Sequence, residues 1–338
     1  MPPKPRFAVL GAGSIGCHLG GHLTAAGYEV VLIGRPAAMD VLRERGLTLS
    51  STAREPRRIA PDRLRLATGP EAAAGADYVL VTVKSAATRT AAKDLAPHLG
   101  PEAVVVSFQN GLHNPAALRE ALPGHRVLAG MVPYNVLQSE PGTVHQGMPG
   151  TVLTEPDEGL IAACRAAGLS MAARTDMPAV QYGKLLTNLN NALNALSGLP
   201  LRDQLAQRPW RRCLALCQRE ALAAYRAAGV RPAQLGPTKP AFTPYVLDLP
   251  DALFRRAAAA SLRIDARARS SMWEDLRRGR PTEVDSLQGA IVRLAEAHGL
   301  RAPVNARLVE LVREREQAPR DWSGPELYAE LTAARRAR

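Results

Sequence analysis

The sequence predicts an α/β protein: a doubly wound parallel sheet followed by an all-helical second domain. Three observations carry that expectation. A short apolar strand, Phe7–Leu10, runs directly into a glycine-rich turn and then a helical stretch. Further apolar runs of strand length recur with helical segments between them, the pattern of a parallel sheet covered on both faces. From Val180 onward the periodicity is helical only. A chain of 338 residues suits two domains at roughly 100–200 residues each. The change of pattern near Arg174 to Pro178 puts them at residues 1–176 and 177–338.

Each element has its own signal. The first helix runs to Ala26 and ends at Gly27, the residue type that most readily closes a helix. Strands are expected at Tyr28–Ile33, Asp77–Val83 and Ala103–Phe108. In the second half, helices are expected at Lys184–Leu196, Trp210–Ala228, Asp251–Arg278, Val284–His298 and Val304–Arg315. The tail from Gln317 to Arg338 is polar and is expected to pack loosely.

Composition narrows the function classes. Hydrophobic residues make up 46% of the chain but aromatics only 4%, so the cores must be aliphatic. Forty-three basic residues against 31 acidic ones leave a net charge of +12. The basic residues are scattered without aromatic interleaving, which argues against nucleic-acid binding. A basic chain does attract polyanionic cofactors. No stretch reaches the ~20 apolar residues of a membrane span, and no signal region precedes the first strand, so a cytoplasmic protein is expected. Cys213 and Cys217 could share a helix face, but no second pair of ligands lies near them in sequence. Cys17, Cys164, Cys213 and Cys217 therefore read as buried thiols, with no metal site, in a reducing compartment.

The glycine turn reads Gly11-Ala12-Gly13-Ser14-Ile15-Gly16. With a strand before it and a helix and second strand after it, this is a Rossmann dinucleotide-binding fingerprint. Gly11 permits the tight turn, Gly13 lets the pyrophosphate approach the backbone, and Gly16 lets helix and strand pack closely. The helix N-terminus offers N–H groups to the phosphates. NAD binders place an acid at the end of the second strand. Here that place holds Arg35, 19 residues past Gly16. A guanidinium pairs with a 2′-phosphate, so NADP(H) is the expected cofactor. Two further strand ends, Val81-Thr82-Val83-Lys84 and Ser107-Phe108-Gln109-Asn110-Gly111, should face the same crevice. Lys84 is placed to reach cofactor phosphate or ribose, and Asn110 to bond ribose, nicotinamide or substrate.

Two clusters in the second half carry chemistry. At about 100° per residue, Asn188 and Asn191 fall within about 40° of Lys184 on one helix stripe. Lysine is scarce in this chain, occurring only at positions 4, 84, 93, 184 and 239. Arginine holds its proton too firmly to donate it, so a retained lysine among amides points to proton transfer. The second cluster runs Ser270-Ser271-Met272-Trp273-Glu274-Asp275 and then Arg280-Pro281-Thr282-Glu283. Thr282 is the expected N-cap, with Glu283 in the first helical turn.

These motifs, in this order from residue 7 to about 312, resemble the ketopantoate (2-dehydropantoate) 2-reductase family. The resemblance implies that Lys184 is the general acid and that Glu283 holds cofactor or the substrate hydroxyl. It further implies that Asn110, Asn188 and Ser271 bind substrate, Ser271 near its carboxylate. There are departures. The family commonly has a further substrate asparagine where this chain has Ala192; Asn191 or Asn194 could substitute, and helical phase favours Asn191. Ser197–Arg202 and the loop around Tyr134–Val136 also differ. The expected activity is NADPH-dependent reduction of a branched 2-oxo acid, ketopantoate first. A paralogue acting on another 2-oxo acid and a non-catalytic NADPH sensor remain open, although a sensor has no need of both Lys184 and Glu283. A homodimer through the helical domain is a further expectation.

Overall fold

The structure is a computed structural model in which residues 3–257, 265 and 268–337 are described. The chain divides into two compact units, Met1–Met177 and Pro178–Arg338. In chain order the strands are β1 (Phe7–Leu10), β2 (Val30–Ile33), β3 (Leu47–Ser51), β4 (Arg57–Ile59), β5 (Arg65–Ala67), β6 (Tyr78–Val81), β7 (Val104–Ser107), β8 (Arg126–Met131), β9 (Val136–Glu140), β10 (Thr143–Gln146), β11 (Val152–Thr154) and β12 (Met171–Ala173). Helices α1 (Ser14–Ala25), α2 (Pro36–Arg45), α3 (Thr88–Leu95), α4 (Asn114–Ala121) and α5 (Glu158–Ala166) complete the first unit.

The main sheet has the order β12-β11-β8-β7-β6-β1-β2-β5. It is parallel from β5 to β8, and β11 joins β8 antiparallel. Its central strands are buried on both sides, as crossover helices require. Phe7, Val9 and Leu80 feed one core, while Ala8, Leu10, Val79 and Val81 feed the other. A second sheet, β4-β3-β10-β9, was not expected from the sequence. Paired glycines in α1 explain how that helix meets both sheets. A methyl on Gly20 would sit 2.5 Å from Leu32 of the large sheet, and one on Gly21 would sit 2.8 Å from Leu47 and Leu49 of the small one. Both glycines give up helix propensity in exchange for close packing.

The second unit is built from α6 (Met177–Asn188), α7 (Asn190–Ser197), α8 (Leu201–Ala206), α9 (Arg208–Ala227), α10 (Thr243–Leu247), α11 (Asp251–Ala257), α12 (Ser271–Arg277), α13 (Val284–Ala297), α14 (Pro303–Gln317) and α15 (Gly324–Arg336). Buried polar side chains join these helices. Arg211 is fully buried and donates to the carbonyls of Leu205, Ala206, Leu247 and Leu249 and to Asp251. Glu220 accepts from the backbone N–H of Val304 and Asn305, so a carboxylate on α9 caps the start of α14.

Several expectations need correction. The single helix Lys184–Leu196 is two helices, because α6 starts at Met177 and the helix is interrupted at Leu189. The Leu189 carbonyl accepts from the Gln288 amide at 2.8 Å, a partner no local pattern reveals. The single helix Asp251–Arg278 is also two: α11 ends at Ala257, and Ser270 caps α12 through the Trp273 N–H. Most of the residues between, 258–264 and 266–267, lie outside the described residues. Glu283 itself, not Thr282, is the N-cap of α13, and the Thr282 hydroxyl accepts from the Val284 N–H. The tail is not loose. Ser323 and Glu326 form a capping box at the start of α15, and Leu327 and Leu331 are fully buried. A polar surface with one leucine every four residues hid that apolar stripe.

The packing of α15 is testable by urea denaturation. Leu331→Ala should cost about 2–5 kcal/mol, the cost of a leucine removed from a core. A loose tail would lose less than about 0.5 kcal/mol.

Candidate active site

Strands β1, β6 and β7 are neighbours, about 4.8 Å apart, and their carboxyl ends carry the glycine turn, Lys84 and Asn110. In the turn, Gly11 has φ +109, and a methyl there would lie 2.6 Å from the Val83 nitrogen. A methyl on Gly16 would lie 2.3 Å from the Gly11 carbonyl oxygen and 2.7 Å from Thr82 Oγ1. Thr82 Oγ1 donates to the Gly11 carbonyl at 2.7 Å, while the N–H groups of Gly11 and Ala12 both donate to the Ile33 carbonyl at 2.9 Å. The turn is thus held by β2 on one side and by the end of β6 on the other. Gly13 differs from the other two. It is exposed, and a methyl on it would find its nearest neighbour 4.0 Å away. Its bareness serves no packing inside the protein; it leaves backbone open to a ligand. Helix α1 starts with no side-chain cap and no acid in its first turn. Nothing there competes with an anion for the N–H groups of Ser14, Ile15 and Gly16. This cradle fits a pyrophosphate.

Arg35 is exposed at the end of β2 and is the N-cap residue of α2. Among the described residues its guanidinium has no carboxylate partner. Lys84 is half-buried and starts a short 3-10 turn, and Asn110 is half-buried at the end of β7. The sequence reading missed the side chains that hold these two segments together. The Gln109 amide donates to the Val83 carbonyl at 2.9 Å and to Thr88 Oγ1 at 2.7 Å. Thr88 donates to Asn114 Oδ1 at 2.8 Å, and Ser85 Oγ and the Asn114 amide both donate to the Asn110 carbonyl. Polar residues just beyond two buried strands were the available signal for this network.

In the second unit Lys184 lies on α6 and is half-buried. Burial desolvates its ammonium and lowers its pKa to about 8. Asn188, buried, is the last residue of α6, whereas Asn191, half-buried, falls on α7 beyond the interruption. The expected continuous stripe is therefore split between two helices. The joint is clamped from its neighbours: Gln218 donates to the Leu186 carbonyl at 3.1 Å and Gln288 to the Leu189 carbonyl at 2.8 Å. Asn194 is fully engaged in structure, donating to the Leu199 carbonyl and Gln204 and accepting from the Ser270 N–H. That leaves Asn191 as the candidate binding asparagine of the two. Ser270 also donates to the Asn191 carbonyl, so α12 starts beside α7, with Ser271 exposed as its first residue. Glu283 is half-buried at the head of α13, five residues before the Gln288 that clamps the joint.

Comparison with known proteins decides the family. The profile described as ketopantoate reductase PanE/ApbA matches residues 7–158, and its C-terminal counterpart matches residues 176–316. The chain belongs to the ketopantoate reductase family. A 2-dehydropantoate 2-reductase of Halobacterium salinarum is 31% identical over 318 residues, covering 91% of this chain and 98% of that one. That of Vibrio cholerae is 26% identical over 332 residues, covering 94% and 99%. A crystal structure of a PanE/ApbA family ketopantoate reductase from Ralstonia eutropha JMP134 superposes with a TM-score of 0.78 at 32% identity, covering 92% of this chain and 98% of that one. D-mandelate dehydrogenase bound to NADH and anilino(oxo)acetate shares the fold, with a TM-score of 0.77 at 19% identity and coverage of 92% and 98%. This member of the ketopantoate reductase family is an NADP-dependent oxidoreductase with a Rossmann domain and a helical C-terminal domain. No described helix is long and apolar enough to cross a membrane.

The glycines separate folding from binding. Gly13→Ala should fold with stability within about 0.5 kcal/mol of the parent yet bind NADPH at least about tenfold more weakly, by fluorescence titration. Gly16→Ala should lose about 1–3 kcal/mol of stability to overpacking, read from its urea midpoint. Equal behaviour of the two variants would contradict these roles.

Proposed function

We propose that this enzyme reduces 2-dehydropantoate to pantoate with NADPH, and that Lys184 is the proton donor. The observation that carries the reading is the desolvated Lys184 ammonium, with a pKa of about 8, in a chain of this family. When bound, NADPH supplies hydride to the carbonyl carbon. The glycine turn and the N-terminal N–H groups of α1 hold its pyrophosphate, Arg35 pairs with its 2′-phosphate, and Lys84 and Asn110 bond its ribose and nicotinamide side. The developing alkoxide needs a proton and a positive field. Lys184 gives its Nζ proton to that oxygen, and the product leaves as a neutral hydroxyl. Asn188 and Asn191 orient the substrate, Ser271 bonds its carboxylate, and Glu283 accepts from its hydroxyl or from the cofactor ribose. The cytosol suits four free, buried thiols, whose ionisation burial disfavours.

A second reading, reduction of a different 2-oxo acid, is favoured by Ala192. That residue is fully buried where the family commonly places a substrate asparagine. NADPH oxidation followed by absorbance separates the two. Ketopantoate reduced with higher kcat/KM than pyruvate-like or bulkier 2-oxo acids supports the first reading, and the reverse order supports the second.

Two outcomes test the assigned residues. Lys184→Ala should lower kcat by about 10²–10⁴-fold with little change in NADPH affinity, and Lys184→Arg should rescue poorly. Because only the protonated lysine donates, kcat/KM for reduction should be flat below pH 8 and fall about tenfold per unit above it. A profile with no break near pH 8 excludes Lys184 as the acid. Arg35→Ala should erase most of the preference for NADPH over NADH, measured as the ratio of their dissociation constants; an unchanged ratio contradicts the Arg35 assignment.

A further inference from the structure

The first unit also holds a cavity of about 580 Å³ that the glycine turn does not line. The turn opens α1, whereas this cavity is lined by His22 in the last turn of the same helix, about 12 Å further along its axis. The other walls come from β3 and the loop after it, from the segment following β10, and from the turn between α5 and β12. The volume lies within the ~300–1,000 Å³ of small-molecule sites.

The lining has two characters. Leu49, Met148 and Leu169 give it an apolar part. Arg54, Arg57 and His22 give it a basic part, and Glu55 is the acid among the lining residues. The basic groups are anchored. Arg54 Nη1 donates to the Gly168 carbonyl at 3.1 Å, the Arg57 guanidinium donates to the Ala25 carbonyl, and His22 Nδ1 lies 3.3 Å from the Ala167 carbonyl. They are also close enough to repel. Burial lowers the His22 pKa, and the positive charges of Arg54 and Arg57 lower it further. Two fixed guanidiniums beside an imidazole, opposed by one carboxylate, make a field that an anion relieves.

We propose that this cavity is a second ligand site that takes a small organic anion. Its carboxylate or phosphate meets Arg54 and Arg57, and a short apolar body lies over Leu49, Met148 and Leu169. The site is separate from the dinucleotide cradle and does not depend on the identity of the 2-oxo acid substrate.

The test is calorimetric titration of the full chain, saturated with NADPH, using hexanoate, hexyl phosphate, hexanol and acetate as probes. At least one of the two six-carbon anions should saturate one site per chain. Hexanol, lacking the charge, and acetate, lacking the apolar body, should bind at least about tenfold more weakly. Arg54→Ala and Arg57→Ala should each weaken the anion by about tenfold. Arg58→Ala removes the same charge from a position outside the lining and should leave affinity within about twofold. All three arginines probed this way are exposed, so the variants should fold. The proposal is overturned if neither six-carbon anion binds the NADPH-saturated chain. It is also overturned if acetate or hexanol binds as well, if either lining variant keeps full affinity, or if Arg58→Ala weakens binding as much as they do.

Discussion

The first unit depends on how closely the turn after β1 approaches the end of β6. There is room for backbone at Gly11 and Gly16 and for nothing more, since any Cβ would fall within 2.6 Å of backbone atoms. With that space closed, Thr82 reaches the Gly11 carbonyl and α1 starts directly against the sheet. The direction of α1 sets the rest. Gly20 and Gly21 then face the large and small sheets at contact distance, and the helix N-terminus stands at the carboxyl edge where Lys84 and Asn110 emerge. A wider turn would move the phosphate cradle and the packing of both sheets together. The ligand site and the fold share one constraint, because the glycines that admit a cofactor sit in the same six residues as those that admit the strand.

The second unit solves a different problem. Its helices meet partly through rings, as where Tyr182 of α6 packs edge-on against Tyr225 of α9 with centroids 5.0 Å apart, and partly through buried amides and charges. Gln218 and Gln288 each take a carbonyl near the α6–α7 joint, Asn194 ties α7 to the start of α12, and Gln204 pairs with Asn190. The amide N–H groups, costly to bury alone, are bonded in this way, while the Gln218 and Gln288 side-chain oxygens are buried without a partner among the described residues. The consequence reaches Lys184. A desolvated ammonium loses its proton more readily, and burial lowers the pKa of this one to about 8. The amides that interrupt the helix after Asn188 also hold it still.

The positive charge of the chain is handled locally. Arg307 pairs with Glu310, Glu314 and Glu330, and Arg211 is enclosed by carbonyls and Asp251. Arginines that have carboxylate partners serve structure. Arg54 and Arg57 stand apart from that group, donating to the Gly168 and Ala25 carbonyls rather than to a carboxylate.

The amino-acid order by itself determined the Rossmann half, its glycine turn, the Arg35 replacement and the family. The Rossmann signals are local: a strand, a turn, a helix and the end of a second strand within residues 7–35, each with a steric reason that can be stated without the rest of the chain. The family resemblance instead draws on motifs from residue 7 to about 312. The amino-acid order also marked Lys184, because an amide-flanked lysine in an arginine-rich chain is visible without a fold. Tertiary structure alone decided the interruption at Leu189, the engagement of Asn194 and the burial of α15. For the first two the deciding partner is distant in sequence: Gln288 lies 99 residues from Leu189, and Ser270 lies 76 from Asn194. Hydrophobic periodicity records which face of a helix is buried but not which polar group will meet its backbone. That is why the helices were legible and their joints were not.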